Sequence, residues 1–275
     1  MIEEKISDRR LLEDESEPRS PSSPETTTPK SADLLRTAAD PTLSEDLAQA
    51  LLKRADLPAE VLEQLAKNAA ALKSRKVKIA LVSHPHTPRH VSVPLARQFH
   101  TFDLMKVALS ATVPADIKLA VDDVLIARLQ TVTIGERLTL ARRGSGRVAA
   151  ALLSDVKNAE SKIDRKAEYS GAVAPEIRVM QTALENRRLT EALVIRCVLR
   201  PAARVALVHA VAQHPKWSRR KEIRAALLRT EHLSLARALE FAGETPAQLL
   251  QEVLSSSRLP AKIKDQLLPK RSANS

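Results

Sequence analysis

The spacing of apolar residues along most of the chain predicts short amphipathic helices. Ile117, Val121, Val124 and Leu125 fall at positions i, i+4, i+7 and i+8, which places them on one face of a helix. Such a helix cannot bury its apolar face alone. We therefore expect an all-α protein in which neighbouring helices cover one another.

A recurring phrase marks the predicted helix starts. Proline suits the first helical position because the N–H that it lacks would have no partner within the helix. The phrase occurs in full at Leu57-Pro58-Ala59-Glu60-Val61, Val113-Pro114-Ala115-Asp116-Ile117 and Leu259-Pro260-Ala261-Lys262-Ile263, and in shorter form at Arg200-Pro201-Ala202 and Thr245-Pro246-Ala247.

The predicted starts are spaced at a nearly constant interval. Pro58, Pro88 and Pro114 are 30 and 26 residues apart, and starts at Thr190, Ser218 and Pro246 are 28 and 28 apart. A period of this length accommodates two short helices and two turns. We predict a right-handed α-solenoid of stacked helical hairpins over residues 43–270, with a divergent unit at about 133–170, where Gly144-Ser145-Gly146 interrupts the period.

Residues 1–42 differ in composition from the rest. Residues 17–29 lack any large apolar side chain, so ordering them would cost entropy without burial in return. The prediction is a disordered, acidic, Pro/Ser-rich tail, either a solubilising leader or a tether that folds over the basic body. No apolar run is long enough for a secretory signal or a membrane span, and we expect a cytoplasmic protein without a membrane partner.

Composition argues against most β and Rossmann-type enzymes. The chain has five glycines, where average usage would give roughly nineteen, and five aromatic residues. Tight hairpins and nucleotide-cradling loops need more glycine. Ala, Leu and Val must therefore fill the core, with Cys197 expected to serve as a small hydrophobe and Trp217 to pack in the core or a turn. We predict a non-enzymatic protein without catalytic residues or cofactor.

Basic residues provide the main functional lead. The chain has 44 Lys plus Arg against 33 Asp plus Glu, a net charge of +11. Residues 187–229 contain only Glu191 and Glu222 as acids. We predict a binding ridge in this region, formed by Arg187, Arg188, Arg196, Arg200, Arg204, Arg219, Arg220 and Arg224.

Two kinds of partner suit that ridge. The leading hypothesis is a scaffold that presents a helical-repeat surface to a protein partner. The alternative is a nucleic acid or another polyanion, for which about six phosphate contacts would lower affinity roughly a thousandfold between about 50 and 200 mM salt. The scarcity of aromatic platforms weighs against binding of unstacked bases.

Other side chains of possible chemical interest have simpler interpretations. His84, His86, His90 and His100 are close in sequence, but His-Pro recurs at His214-Pro215 as a turn signal, and we predict no metal site. Adjacent Asp122 and Asp123 diverge on the helix and are predicted to be solvated rather than a catalytic pair. Ser145 lacks the context of a nucleophile or phosphate loop.

The helical phrases resemble those of HEAT-like α-solenoids. His84-Pro85-His86-Thr87-Pro88 and His214-Pro215-Lys216-Trp217-Ser218 also resemble the Asn-Pro-x-Thr-Pro helix start of the bacterial leucine-rich-repeat variant type, with His in place of Asn. The resemblance covers roughly residues 45–268 and lacks the Cys-rich iron–sulfur segment of some members. It implies a fold and a general role in binding macromolecules, without a cofactor. The polyanion alternative would resemble HEAT-like DNA glycosylases, which bind duplex DNA in a basic groove.

Overall fold

The computed structural model describes residues 29–154, 175–201 and 203–267, and the regular elements in these ranges are all helical. A short 3-10 turn, Ala71–Lys73, lies between the third and fourth helices. The prediction of an all-α protein is confirmed for these residues. Sixteen α-helices follow one another: α1 Pro29–Ala39, α2 Glu45–Leu52, α3 Ala59–Lys67, α4 Arg75–Ser83, α5 Arg89–Ala96, α6 Thr101–Leu109, α7 Ala115–Arg128, α8 Ile134–Arg143, α9 Gly146–Ser154, α10 Pro175–Leu184, α11 Glu191–Val198, α12 Val205–Gln213, α13 Lys221–Leu228, α14 Leu235–Gly243, α15 Ala247–Ser255 and α16 Ala261–Leu267.

Proline precedes five of these helices, close to where the sequence predicts their starts. It is the residue immediately before α3, α5, α7, α15 and α16. Pro58, for example, caps α3 with φ −63° and ψ 151°, so it directs the chain into the helix from an extended conformation. The shift of one residue from the predicted first helical position is within the usual uncertainty of helix ends.

Two predicted starts are wrong by a few residues. Pro201 lies in a turn that is closed by a hydrogen bond from the Ala203 N–H to the Arg200 carbonyl at 2.9 Å, and α12 begins only at Val205. Ser218 lies in the turn that follows Trp217, and α13 begins at Lys221. In both places a turn that begins near the signal residue delays the helix.

Helices two apart in the chain pack side by side. The pairs are α1–α3, α2–α4, α4–α6, α5–α7, α7–α9, α8–α10, α9–α11, α10–α12, α11–α13, α13–α15 and α14–α16. We call the odd-numbered helices the odd layer and the even-numbered helices the even layer. These contacts run without a break from α5 to α15 in the odd layer and from α8 to α12 in the even layer. Units that contact mainly their sequence neighbours are compatible with a helical repeat.

Side chains also join each unit to the preceding one. The last carbonyls of a helix have no partner within it, and here a side chain that follows a later helix donates to them. The Asn68 amide donates to the Ala38 carbonyl at 3.0 Å, and the Ser257 hydroxyl donates to the Leu228 carbonyl at 2.6 Å. These pairs are 30 and 29 residues apart, so the hydrogen bonds repeat with the period of the units.

The core consists mainly of buried Ala, Leu and Val, as the composition predicts. Trp217 is 2% exposed, and its indole N–H donates to the Leu184 carbonyl at 2.8 Å, which confirms its packing role. Phe99 and Phe241 are also buried. Among the helices of the described ranges, none combines the length and the apolar character that crossing a membrane requires.

The predicted tail boundary at residue 43 is wrong. Helix α1 lies within residues 1–42 and packs against α3, with Ala38 fully buried and Leu34 and Leu35 against the core. The apolar face formed by these three residues stabilises the helix. The remainder of the predicted tail, residues 1–28, lies outside the described residues.

The predicted divergent unit also needs correction. Helices α8 and α9 occupy residues 134–154 and pack like the other helices, while residues 155–170 lie outside the described ranges. Gly144 caps the end of α8 rather than interrupting a unit. A Cβ at Gly146 would collide with the Arg188 carbonyl oxygen, so glycine permits a close approach between α9 and the turn before α11.

Candidate functional site

A cavity of about 180 Å³ opens between α9 and α11 in the odd layer. Arg147, Arg196 and Arg200 line it, and we name these three residues with the space between them the arginine cavity. The other lining residues are uncharged: Ile126, Ala150, Ala151, Ser154, Leu193 and Cys197. Three cations thus face one small space that receives no carboxylate from its described lining.

Arg147 is held in place from the preceding helix of the layer. Its guanidinium donates to the Asp123 carboxylate at 2.8 Å and to the Leu119 carbonyl at 3.1 Å, both on α7. The ion pair neutralises part of its charge, and the two hydrogen bonds fix its direction. Arg147 therefore lines the cavity in a fixed orientation. The sequence reasoning did not select it.

Arg196 and Arg200 provide the free positive charge. Both are exposed, and no described residue forms an ion pair or hydrogen bond with either guanidinium. Arg200 lies two residues beyond α11, but Leu199 keeps helical backbone angles and continues the turn of the helix. Both arginines line the same cavity. Like charges held together favour a bound anion.

Cys197 forms an apolar part of the wall. It is 5% exposed, and its Sγ lies 3.3 Å from the Ala150 carbonyl and 3.4 Å from the Ser154 hydroxyl. Burial raises the pKa of the Cys197 thiol, and this outweighs the lowering by the Ser154 hydroxyl, Arg200 and Arg196. A protonated, buried thiol is inert, which agrees with the predicted packing role.

The other residues of the predicted ridge do not line the cavity and lie in turns and near helix starts: Arg187 and Arg188 before α11, Arg204 before α12, and Arg219, Arg220 and Arg224 before and within α13. Arg220 pairs with Glu191 at 3.5 Å. Arg224 pairs with Glu244, and only 13% of its side chain is exposed. Arg196 and Arg200 therefore carry more uncompensated charge than these two arginines do.

One prediction about the acidic pair is wrong. Asp123 is exposed and pairs with Arg147, but Asp122 is 5% exposed and accepts a hydrogen bond from the Ser145 hydroxyl at 2.9 Å. Burial raises the pKa of Asp122, against the lowering effects of Ser145 and Arg147. Ser145 also accepts a hydrogen bond from the Val148 N–H at 3.2 Å, so it anchors the start of α9.

Three of the four neighbouring histidines form side-chain contacts within the fold. His84 Nε2 lies 2.8 Å from the Arg54 carbonyl while its Nδ1 accepts from the His86 N–H at 3.2 Å. His86 contacts the Leu57 carbonyl, and His90 faces Glu63 at 3.4 Å. His100 precedes α6. No group of three or more His, Cys, Asp or Glu side chains within the described residues is arranged to hold a metal ion.

Comparisons with known proteins add no relative. No family model matches the chain, and no match was found among curated proteins or among solved structures. Any functional inference therefore depends on the side chains and charges described above.

Proposed function

We propose that this protein is a non-enzymatic scaffold whose helical-repeat surface binds an acidic segment of a protein partner at the arginine cavity. The observation that carries the proposal is the pair Arg196 and Arg200, which face the cavity without an acidic partner among the described residues. A carboxylate of the partner would receive the bidentate hydrogen bonds that a guanidinium offers. We also propose that the stacked helices form a right-handed, HEAT-like solenoid.

The distribution of charge supports an acidic partner. Residues 175–229 contain twelve Lys or Arg and four Asp or Glu. Residues 230–267 contain four Lys or Arg and five Asp or Glu. The positive charge therefore concentrates beside the arginine cavity instead of covering the whole surface. Such a field accelerates the approach of an anionic partner and makes its association sensitive to salt.

Exposed apolar residues favour a protein over a nucleic acid as the partner. They recur in the first turn of helices of the even layer, where each is at least 37% exposed: Phe102 on α6, Ile134 on α8, Ile177 on α10, Val205 on α12 and Leu235 on α14. A protein surface can bury such side chains, while a phosphate backbone cannot. The polyanion alternative relies on the excess of charge alone.

A charge-reversal pair tests the proposal. Arg196→Glu with Arg200→Glu should abolish capture of acidic proteins from a cell extract, while Arg97→Glu should leave capture intact. Arg97 is an exposed arginine that follows α5 and serves as the matched control. Captured proteins are quantified by mass spectrometry, and one that depends on the pair is then titrated in purified form. An equal set of captured proteins for all three chains would refute the proposal.

Duplex DNA distinguishes the alternative. The wild type is titrated with a labelled duplex by fluorescence anisotropy at low salt and at about 200 mM salt. Under the scaffold proposal, binding to the purified protein partner survives the higher salt and duplex binding does not. Duplex binding that depends on Arg196 and Arg200 and exceeds binding of any captured protein would favour the polyanion alternative.

A further inference from the structure

A second arginine-lined cavity, of about 340 Å³, lies in the even layer between α8 and α10. Its lining consists of Arg142, Arg143, Arg178, Leu138, Thr139 and Thr182. None of these residues contributes to the arginine cavity between α9 and α11, which belongs to the other layer. None of the six belongs to the predicted ridge.

The three guanidiniums of this cavity have no counter-charge within the described chain. Its lining contains no acidic residue, and no described side chain forms an ion pair with Arg142, Arg143 or Arg178. Arg188 does not line the cavity, but its guanidinium reaches the neighbouring backbone, where it donates to the Arg143 carbonyl at 3.3 Å. The three arginines are exposed, and an anion bound between them would relieve the repulsion of their like charges.

The polar groups of the cavity select a ligand that accepts hydrogen bonds. The Thr139 hydroxyl donates to the Gly135 carbonyl at 3.0 Å, and the Thr182 hydroxyl donates to the Arg178 carbonyl at 2.7 Å. Both hydroxyl protons are thus in use, and the donors left for a ligand are those of the guanidiniums. A guanidinium matches the oxygens of a phosphate in a bidentate manner and carries no acceptor.

We propose that the cavity between α8 and α10 binds the phosphate group of a small phosphate monoester. Three cations suit the double negative charge of a phosphate better than the single charge of a carboxylate. The volume of about 340 Å³ lies in the range of small-molecule sites, so it holds more than a bare phosphate. This site is independent of the proposed protein partner.

The test uses inorganic phosphate and glycerol 3-phosphate as probes, each titrated by isothermal titration calorimetry at constant ionic strength. All proteins carry Arg196→Gln and Arg200→Gln, so that the arginine cavity does not contribute. In this background, Arg178→Gln should weaken binding of both probes at least tenfold, and Arg142→Gln with Arg143→Gln should do the same. Arg97→Gln is the matched control and should leave both affinities unchanged.

The variants are expected to fold, because the substituted arginines are exposed. Circular dichroism and thermal unfolding verify this, and ³¹P NMR line widths give a second measure of binding. The inference is overturned if neither probe binds the background protein at millimolar concentration. It is also overturned if Arg97→Gln weakens binding as much as Arg178→Gln does. Failure of the partner experiment at Arg196 and Arg200 would leave these expectations unaltered.

Discussion

Replacing Asn186 by alanine tests whether hydrogen bonds between units stabilise the fold. Asn186 follows α10 and is 1% exposed. Its amide nitrogen donates to the Ala141 carbonyl at 2.7 Å and to the Gly144 carbonyl at 3.2 Å. Its amide oxygen accepts from the Arg188 N–H at 2.8 Å. One side chain therefore links the end of α8 to the turn before α11, and Asn186→Ala removes all three hydrogen bonds.

The expected loss follows from the number and burial of these bonds. Each contributes about 1 kcal/mol net, and a buried group left without a partner costs at least as much. Asn186→Ala should thus lower the free energy of unfolding by about 3 kcal/mol. Total stabilities of about 5 to 15 kcal/mol are usual for folded domains, so this is a substantial fraction.

Urea unfolding followed by two signals measures the effect. Circular dichroism reports on the helices as a whole, and the fluorescence of Trp217 reports on the contact with Leu184 at the end of α10. Gln181→Ala is the matched control, because Gln181 is an exposed amide side chain on the same helix. It should change stability by less than about 0.5 kcal/mol.

A small effect would contradict the reasoning. If both signals give Asn186→Ala a free energy of unfolding within about 1 kcal/mol of the wild-type value, the hydrogen bonds contribute no more than surface contacts do. If Trp217 fluorescence changes at lower urea than circular dichroism only in the variant, then the units around α10 unfold separately, as repeats can. The loss would then be measured on the fluorescence signal.

Four further predictions follow from local geometry. His84→Ala should lower the free energy of unfolding, measured in urea, by about 2 kcal/mol. His84→Asn should lose much less, because an amide can replace both contacts of the ring. Gly146→Ala should lower stability by about 1 to 3 kcal/mol in the same assay, since its methyl would strike the Arg188 carbonyl. The Cys197 thiol should react with a disulfide reagent at pH 8 far faster in urea than in the folded state, and equal rates would contradict its burial. Burial lowers the pKa of His214 below its ordinary value, so the unfolded chain binds a proton first as the pH falls. Thermal stability should therefore decline as the pH falls from about 6.5, and less so in His214→Asn.

The sequence predicts the helices well where a local signal is enough. Proline fixes one backbone angle and lacks an N–H, so Pro58 or Pro114 marks a helix start regardless of its distant neighbours. His84-Pro85 likewise marks a turn, because the ring contacts the next turn residue and the preceding unit. Signals of this kind depend on covalent geometry and close contacts, so they can be interpreted before the packing of the helices is known.

The candidate site is harder to predict, because it depends on the register between units. Most linking hydrogen bonds join residues about 30 apart, as from Asn68 to Ala38, but Asn186 and Ala141 are 45 apart. The additional residues lie between α9 and α10. A search at a fixed interval of 28 residues from Arg196 therefore cannot find Arg147, although the two line one cavity.

Burial of Asp122 was missed for a different reason. Adjacency on a helix predicts that the side chains of Asp122 and Asp123 diverge, but it does not indicate which of the two is solvated. Asp122 directly follows the buried Val121 and lies three residues before the buried Leu125, which places it on the apolar side. The apolar period of α7 alone could have indicated its burial. The Ser145 hydroxyl that satisfies the carboxylate could not have been predicted, since it comes from the next unit.

The two arginine-lined cavities have a common structural origin. Side chains on helices of one layer converge because those helices pack side by side, so α8 with α10 and α9 with α11 each bring three arginines together. Repulsion at both places favours separation of the helices. Asn186 and Arg188 oppose it, since both donate to carbonyls at the end of α8. These hydrogen bonds hold the end of α8 in place beside Arg142 and Arg143, and such fixed placement of the cations is what the proposed phosphate site requires.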